Sequence, residues 1–416
     1  MHPFIWRFAM AALLALPARA QTLRQPSGAL TLVAARALAQ AGNPAIIATR
    51  HDLDAAGGAE QQAGARPNPE LALLVEDTRS ATRATTMQLN QPLELGGKRA
   101  ARLAVAGSAR ALAADALAAA QADAGAAVAL AFDELLAAQA ALTLAASTRD
   151  VAARTGTIAG QRVAAGKASP VEATRARIGA AEAEAALAQA ASLLENSRRR
   201  LAATWGAATP SFDHADGELA IPVTMPPVET LLRRLEQAPR LAMLRSESAR
   251  RSAQLTLERA RRTPDITLSA GVKRDAQLGR DQAVFGVAIP LPLFDRNQGN
   301  VNEAASRAAR AHDDVAAGKV DATVALMQAH DAWLLAERQA RLYRDEIVPA
   351  ARTAFDATST GFAYGKFAFL DVLDAQRTLI DAGTRQLRAQ LDARRALADI
   401  ERLLGVPVAS LNESQP

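Results

Sequence analysis

The sequence predicts a mainly α-helical membrane protein in which long helical hairpins are combined with four β-strands per chain. Two patterns lead to this fold class. Over long, alanine-rich stretches, apolar residues recur every seven positions, which is typical of helices that pack along a shared seam. Over four shorter stretches, apolar residues alternate with others, as they do in strands with one apolar face. Both patterns occur twice, about 200 residues apart, which indicates a duplicated unit.

The N-terminal residues 1–20 are predicted to be a secretory signal. A short apolar run, Phe8 to Pro17, follows a histidine and an arginine, and an Ala-Arg-Ala motif ending at Ala20 provides the cleavage site. The run is too short to span a membrane as a helix. We therefore expect an exported chain that starts at Gln21 and has no later segment that is long and apolar enough for a membrane helix without charges. Any part of the exported chain that spans a membrane would then consist of strands in a closed barrel.

Composition argues against several classes of function. The chain has 416 residues, a net charge of +5 and no cysteine, so disulfides and thiol chemistry are excluded. Acidic and basic residues are mixed along the chain, and we expect no nucleic-acid partner. The histidines are scattered without the spacing of a metal site, so we expect no metal, no cofactor and no catalytic residues.

Short segments recur in the same order in the two halves of the chain. Pro69 and Pro264 each begin a similar apolar strand, and AGK around Gly166 resembles YGK around Gly365. A proline-rich stretch between the halves is typical of an irregular connector. The predicted divisions are a signal peptide at 1–20, a first repeat at 21–206, a linker at 207–227, a second repeat at 228–405 and a tail at 406–416.

Each repeat is predicted to contain a helix, a strand pair and a long helical hairpin. The strand pairs are expected at 69–95 and 264–293, with strands of about ten residues, the length that a tilted strand needs to cross a bilayer. Unpaired strand edges in lipid cost several kcal/mol per backbone group, so the sheet must close through other copies of the chain. The hairpins are expected at 98–205 and 296–404, with long helices at 98–161 and 297–360 and returning helices at 169–204 and 368–403.

The seven-residue spacing predicts which residues form the helical seams. Alanine-rich flanks would let neighbouring helices approach closely beside them. The predicted seam residues are Val128, Leu135 and Leu142; Leu187, Leu194 and Leu201; Val320, Met327 and Leu334; and Leu373, Ile380 and Leu387.

Proline and glycine mark the points where a strand changes into a helix. Proline fixes φ and removes a backbone donor, so it ends sheet pairing, and the chain can then reorient. Asp295 or Asn297 is expected to cap the second long helix. The predicted junction residues are Pro92, Gly96 and Gly97 in the first repeat and Pro290 and Pro292 in the second.

The order of elements and several stretches resemble the outer membrane efflux protein family, the TolC-like trimeric exit ducts. The stretches are PNPELAL, QPLELGGKRA, RVAAGKASPVEA, IPLPLFDRNQGN and GFAYGKFAFLDVLDAQR. LELGGKR and PLPLFDRNQG are most similar to the branch that exports heavy-metal cations. The resemblance implies a homotrimer with a twelve-stranded barrel in the outer membrane, continued through the periplasm by a barrel of helices. It also implies a periplasmic adaptor and an inner-membrane pump of the resistance-nodulation-division type.

The expected function is therefore a passive exit duct for heavy-metal cations, with energy supplied by the pump. Within the family, a duct for drugs or for type I protein secretion is the alternative. From another class, a periplasmic coiled-coil adaptor also has long helical hairpins, but it would lack the two strand pairs.

The resemblance also implies where partners and cargo meet the duct. The hairpin tips would bind the adaptor. Asp371 and Asp374 would line the entrance, because they are three residues apart and share a helix face; rings of carboxylates select cations. The alternative is a solvated face on which Asp374 pairs with Arg377. The predicted docking residues are Arg162, Gly166, Lys167, Gly365 and Lys366.

Phe362 and Phe367 depart from the pattern of the family. At these positions, relatives carry a tyrosine and an arginine that latch the closed entrance. Two phenylalanines cannot form such a hydrogen-bonded latch, so we expect an apolar plug at the entrance instead.

Overall fold

The computed structural model of the protein describes residues 27–221 and 225–412. The predicted signal peptide and the end of the predicted tail lie outside the described residues. The helices are α1 (Leu32–Gly42), α2 (Pro44–Ala63), α3 (Lys98–Ala164), α4 (Pro170–Ala203), α5 (Val228–Leu235), α6 (Pro239–Ala260), α7 (Gln298–Leu342), α8 (Val348–Ala363), α9 (Phe369–Leu404) and α10 (Ala409–Asn412). The strands are β1 (Ala29–Leu30), β2 (Glu70–Glu76), β3 (Ala84–Leu93), β4 (His214–Ala215), β5 (Ile266–Asp275) and β6 (Arg280–Ala288).

The four longer strands form one antiparallel sheet in the order β2-β3-β5-β6. β2 and β3 are joined by residues 77–83 and β5 and β6 by residues 276–279, and β3 pairs with β5 from Ala84–Asp275 to Leu93–Ile266. The two predicted strand pairs thus lie side by side in a single sheet. A short parallel pair of β1 with β4 ties the start of the described chain to the segment after α4.

The register sorts the side chains of this sheet into an apolar face and a polar face. On the polar face, the Ser269 hydroxyl donates to Asn90 Oδ1 at 2.7 Å, and Lys273 Nζ lies 2.6 Å from Glu76 Oε2. The apolar side chains are largely exposed, as in Phe285 at 82%. The apolar face carries Leu71, Leu73, Val75, Met87, Leu89, Leu268, Val272, Phe285 and Val287.

The last strand ends earlier than the sequence predicts. β6 stops at Ala288, so Ile289 and Leu291, which continue the alternation, lie beyond the paired strand. Pro290 and Pro292 explain the difference, since neither has an N–H to donate to a ladder. Alternation of apolar residues therefore persists after pairing has ended.

The two hairpins are α3 with α4, and α7 and α8 with α9. The predicted uninterrupted helix over 297–360 is wrong at one point, because a π-helical turn at Tyr343–Ile347 separates α7 from α8. There the N–H of Val348 reaches the carbonyl of Tyr343. Pro349 follows directly; it lacks a donor, and its ring would clash with the carbonyl of Asp345 in a regular α-helix.

The predicted seams hold for α3 but not for α7. Val128 and Leu135 are fully buried, whereas Val320 and Met327 are 61% and 49% exposed. The side of α7 that packs inside the chain carries mainly alanine, with one Trp and one Leu: Ala304, Ala311, Leu326, Trp333, Ala336 and Ala340. The alanines let α7 approach its neighbours closely along this seam, whereas Val320 and Met327 face away from them.

Each half of the chain has its own apolar core. Around Leu135 and Phe212, the first core is built mainly by α1, α3 and α4. Around Leu326 and Ile400, the second is built by α5, α6, α7 and α9. The halves meet where α3 packs against α6 and α9.

Among the described helices, α3 alone contains a stretch long and apolar enough to cross a membrane by length and composition. Every stretch of this length in α3 contains charged residues, so the finding does not contradict the expectation that no later segment is long and apolar enough without charges. Alanine causes the high hydropathy, and 39% of the stretch is buried inside the chain. α3 packs against α2, α4, α6 and α9, so its apolar character is accounted for by contacts with other helices.

A buried ion pair joins the two halves where α3 meets α9. The guanidinium of Arg394 binds both carboxylate oxygens of Asp133 at 2.9 Å, and Asp133 is only 1% exposed. Burial raises the pKa of Asp133 above its ordinary value of 3.8, while the hydrogen bonds and charge of Arg394 work against that rise. Removing one partner of such a pair leaves an uncompensated buried charge.

We predict that Arg394→Met lowers the free energy of unfolding by about 3 kcal/mol at neutral pH. The pKa of Asp133 is higher in the folded than in the unfolded chain, so the folded state binds the proton more tightly, and the loss should shrink as the pH falls toward the folded pKa. Urea unfolding followed by circular dichroism at pH 7.5 and pH 5 measures this. Arg307→Met, in an exposed ion pair with Glu303, should change stability by less than about 1 kcal/mol at either pH. If Arg394→Met lost the same free energy of unfolding at both pH values, the loss could not be due to the buried charge of Asp133.

Candidate functional site: strand-to-helix junctions, hairpin tips and entrance

The first strand-to-helix junction depends on two glycines. Gly96 and Gly97 have φ of +67° and +73°, in the left-handed region that favours glycine. Gly96 also lies against the segment that follows α6 in the second repeat, where an added Cβ would come within 2.6 Å of the Cβ of Thr263. Pro92 is still inside β3, paired with Thr267, so it precedes the end of the strand rather than causing it.

Asn297 lies at the corresponding turn of the second junction. Its φ of +58° resembles that of Gly97. The predicted side-chain cap of α7 is wrong for Asn297, because its Oδ1 accepts from Asn300 Nδ2 at 2.6 Å and not from a backbone N–H of the helix. Its Nδ2 donates to the backbone oxygen of Glu258 at 2.8 Å and to Glu258 Oε2 at 2.9 Å. Asp295 Oδ1 accepts from the N–H of Asn297 itself, at 2.8 Å. Through the hydrogen bonds of Asn297, the second junction is therefore held against α6.

Both hairpin tips are closed by the same turn. Gly166 and Gly365 adopt φ of +67° and +74°. The N–H of the residue after each glycine, Lys167 or Lys366, donates to a carbonyl one helical turn back, at 2.8 Å and 2.7 Å respectively. This is the Schellman pattern of helix C-termini. All four residues are exposed, so their predicted role as docking residues fits their position.

Arg162 differs from the other predicted docking residues. Its Nη1 donates to the backbone oxygen of Phe362 at 2.8 Å, and its guanidinium carbon lies 4.6 Å from the centre of the Phe362 ring. Arg162 ends α3 in the first hairpin, and Phe362 ends α8 in the second. The side chain is thus engaged within the chain and joins the two tips, an arrangement that sequence reasoning missed. The one signal available was a basic residue in the last turn of a helix, which commonly binds carbonyl groups.

The two phenylalanines of the predicted plug have different environments. Phe362 is 2% exposed and packs against Phe369, with ring centres 5.8 Å apart. It does not fit the predicted plug, because its ring is enclosed within the tips. Phe367 is 44% exposed. Part of its ring covers Gly361 so closely that a Cβ at that position would clash.

The predicted entrance aspartates also differ. Asp371 Oδ2 accepts the N–H of Ala368 at 2.9 Å, which stabilises the first turn of α9. Asp374 is exposed, and in the described part of the chain it forms no ion pair with Arg377. Both carboxylates remain at the surface beside the second tip.

A long groove runs from Asp374 between α4 and α9, with α3 as its floor. Two cavities of about 700 and about 550 Å³ make up the groove, and both are lined by Thr148, Ala186 and Ile380. Near the tip its charged rim includes Arg175 and Arg377. Over residues 27–221 and 225–412, no group of three or more acidic or histidine side chains is placed to hold a metal ion.

The sequence profile described as outer membrane efflux protein matches residues 35–207 and 231–406. The cobalt-zinc-cadmium resistance protein CzcC of Cupriavidus metallidurans is 44% identical over 382 residues, which are 92% of this chain and 91% of that protein. The nickel and cobalt resistance protein CnrC of the same organism is 30% identical over 299 residues, 69% of each chain. The crystal structure of the outer membrane protein VceC from Vibrio cholerae superposes with a TM-score of 0.75 at 22% identity, covering 91% of this chain and 96% of that one. The chain belongs to the outer membrane efflux protein family.

Proposed function

We propose that this outer-membrane protein is the exit duct of a tripartite efflux system and that its cargo is heavy-metal cations. It would work passively, with a periplasmic adaptor and an inner-membrane pump of the resistance-nodulation-division type supplying energy. The observation that carries the proposal is the two-faced sheet, in which one face is apolar and exposed and the other is polar and hydrogen-bonded.

Such a sheet suits a wall between lipid and water. The apolar row around Met87 and Phe285 would meet the acyl chains of the bilayer, and the row around Asn90 and Ser269 would line the conduit. Strands of seven to ten residues are close to the length that a tilted strand needs to span the membrane.

The wall requires further copies of the chain. In the described structure, β2 and β6 each pair on one side only, and open edges are not tolerated in lipid. We propose a homotrimer, in which four strands per copy make a barrel of twelve. The exposed apolar residues Val320, Met327 and Leu334 of α7 would then pack against a neighbouring copy.

Metal cations are the cargo that the two curated relatives favour. CzcC, which matches nearly the whole chain, is named for resistance to cobalt, zinc and cadmium, and CnrC for resistance to nickel and cobalt. The same architecture could also carry drugs or secreted proteins, which is the alternative within the family. Two copies of one structural unit, at 21–206 and 228–405, would build the duct, and the exposed residues of the two tips would bind the adaptor.

A deletion of the gene for this chain tests the cargo. We expect the deleted strain to become sensitive to cobalt, zinc or cadmium while its sensitivity to hydrophobic drugs stays within about twofold. The wild-type gene should restore growth on the metal. Sensitivity to drugs alone would contradict metal cargo, and purified protein that forms no pores in planar bilayers would contradict the duct.

Asp374 should contribute to cation selectivity at the entrance. Its carboxylate is exposed beside the tip, and rings of carboxylates attract cations. We predict that Asp374→Asn shifts the reversal potential in a KCl gradient toward zero, because the preference for cations weakens. Glu172→Gln, which removes a carboxylate at the position of the first repeat that matches Asp371, is the control and should shift the reversal potential less. Identical reversal potentials for wild type and Asp374→Asn would rule out this role.

Phe367 is the remaining candidate for an apolar plug. Because it is partly exposed at the second tip, Phe367→Ala should raise single-channel conductance while leaving thermal stability within about 1 kcal/mol. Phe362→Ala should instead destabilise the tip by about 3 kcal/mol, since it empties a buried site. Conductance unchanged in Phe367→Ala would reject the plug.

A further inference from the structure

A cavity of about 330 Å³ lies where the two hairpins meet, between α3 of the first and α8 and α9 of the second. Its lining includes Val348, the first residue after the π-helical turn, and such turns commonly mark functional sites. Its volume is near the lower end of the range found for sites of small organic ligands. The apolar part of the lining is formed mainly by Leu144, Val151, Phe355 and Leu379.

Gln376 is the polar residue of this cavity that the fold explains least. It is only 9% exposed, yet in the described chain its side-chain amide has no hydrogen-bond partner. A buried amide without a partner costs free energy, and in native proteins such groups are nearly always paired. Gln376 also lines the groove between α4 and α9, so a ligand in either space would satisfy the amide.

The other polar groups of the cavity make it suitable for an anion. Arg352 is exposed, and among the described residues its guanidinium forms no ion pair, not even with Asp356 one turn further along α8. Gln386 adds a second amide that has no partner in the same part of the chain. No acidic side chain of the described chain belongs to the lining. Three hydroxyls of the lining already donate to carbonyls of their own helix: Thr143, Ser147 and Thr148.

A carboxylate on a small apolar body matches these groups. The guanidinium of Arg352 can bind both oxygens of one carboxylate, and amide N–H groups can donate to the same oxygens. One guanidinium balances one negative charge, which a carboxylate carries and a phosphate monoester exceeds. The apolar body would then contact the ring of Phe355 and the side chains of Leu144 and Leu379.

We propose that the cavity between α3, α8 and α9 binds a small amphipathic carboxylate. Its charge pairs with Arg352, its oxygens accept from the amide of Gln376, and its apolar part packs on Phe355. The site goes beyond the proposed function, because it lies among helices of one chain and takes a ligand that is not a metal cation.

Isothermal titration calorimetry on the wild-type protein in lipid nanodiscs tests the proposal. The probe is 4-phenylbutyrate, which joins a phenyl ring to one carboxylate, and titration into empty nanodiscs corrects for partitioning into lipid. We expect saturable binding of one probe per chain. The neutral amide, 4-phenylbutyramide, should bind about tenfold more weakly, because it cannot form an ion pair with a guanidinium.

Substitutions of three residues locate the ligand. Gln376→Leu and Arg352→Met should each weaken the binding of 4-phenylbutyrate by about tenfold, since each removes donors from the cavity. Arg377→Met is the matched control, because Arg377 is exposed on the same helix as Gln376 but lines the groove and not the cavity. Its affinity should stay within about twofold of wild type.

The melting temperature provides a second readout. Because Gln376→Leu replaces an unpartnered amide by an apolar side chain of similar size, it should not lower the melting temperature of the probe-free protein. It should abolish the rise in melting temperature that 4-phenylbutyrate causes in wild type. A lower melting temperature for probe-free Gln376→Leu would show that the amide is already satisfied, and would overturn its assignment to a ligand.

The remaining outcomes also decide the proposal. Heats no larger than those of empty nanodiscs would overturn the site, and equal affinities for the acid and its amide would overturn the carboxylate. Weaker binding in Arg377→Met with unchanged binding in Arg352→Met would move the ligand to the groove and overturn the cavity. None of these measurements depends on conduction, so a failure of the site and a failure of the proposed duct are distinguishable.

Discussion

Backbone hydrogen bonding at the edges of the four-stranded sheet is the constraint on which the rest of the structure depends. β2 and β6 each leave one row of N–H and C=O groups without a partner strand in the described chain, and lipid offers nothing to bind them. A wall made of several copies satisfies these groups. The helices must then be arranged around the same axis as the strands, which explains why each strand pair leads directly into a long hairpin.

Small side chains let the long helices pack closely enough to surround the same axis as the strands. The inner seam of α7 is built largely from alanines, and Leu244 packs so closely on Gly318 that no Cβ would fit there without a shift. Leu326 and Trp333 pack inside together with the alanines, whereas Val320, Met327 and Leu334 lie on the outside. The same helix can thus be packed within its own chain and still offer an apolar stripe to another.

Local patterns made the strands and hairpins predictable. The alternation at Leu71–Val75 and around Phe285 identified the strands, and the glycines at 166 and 365 identified the tips. Contacts between distant residues could not be predicted in this way. The partner of Asn297 lies on α6 and that of Arg162 on the opposite hairpin, and neither position follows from a local period. The α7 seam was misassigned because spacing by sevens does not show which of two stripes of the helix packs inside the chain.

The open edges of β2 and β6 also bear on inheritance. If each copy supplies one segment of a shared barrel wall, a chain with a damaged edge strand can still assemble with intact copies. The barrel wall would then have a gap between two strands. A cell expressing both forms would then lose most of its working ducts, not half. Alleles that disturb these edges should behave as dominant, whereas alleles that prevent synthesis of the chain should be recessive.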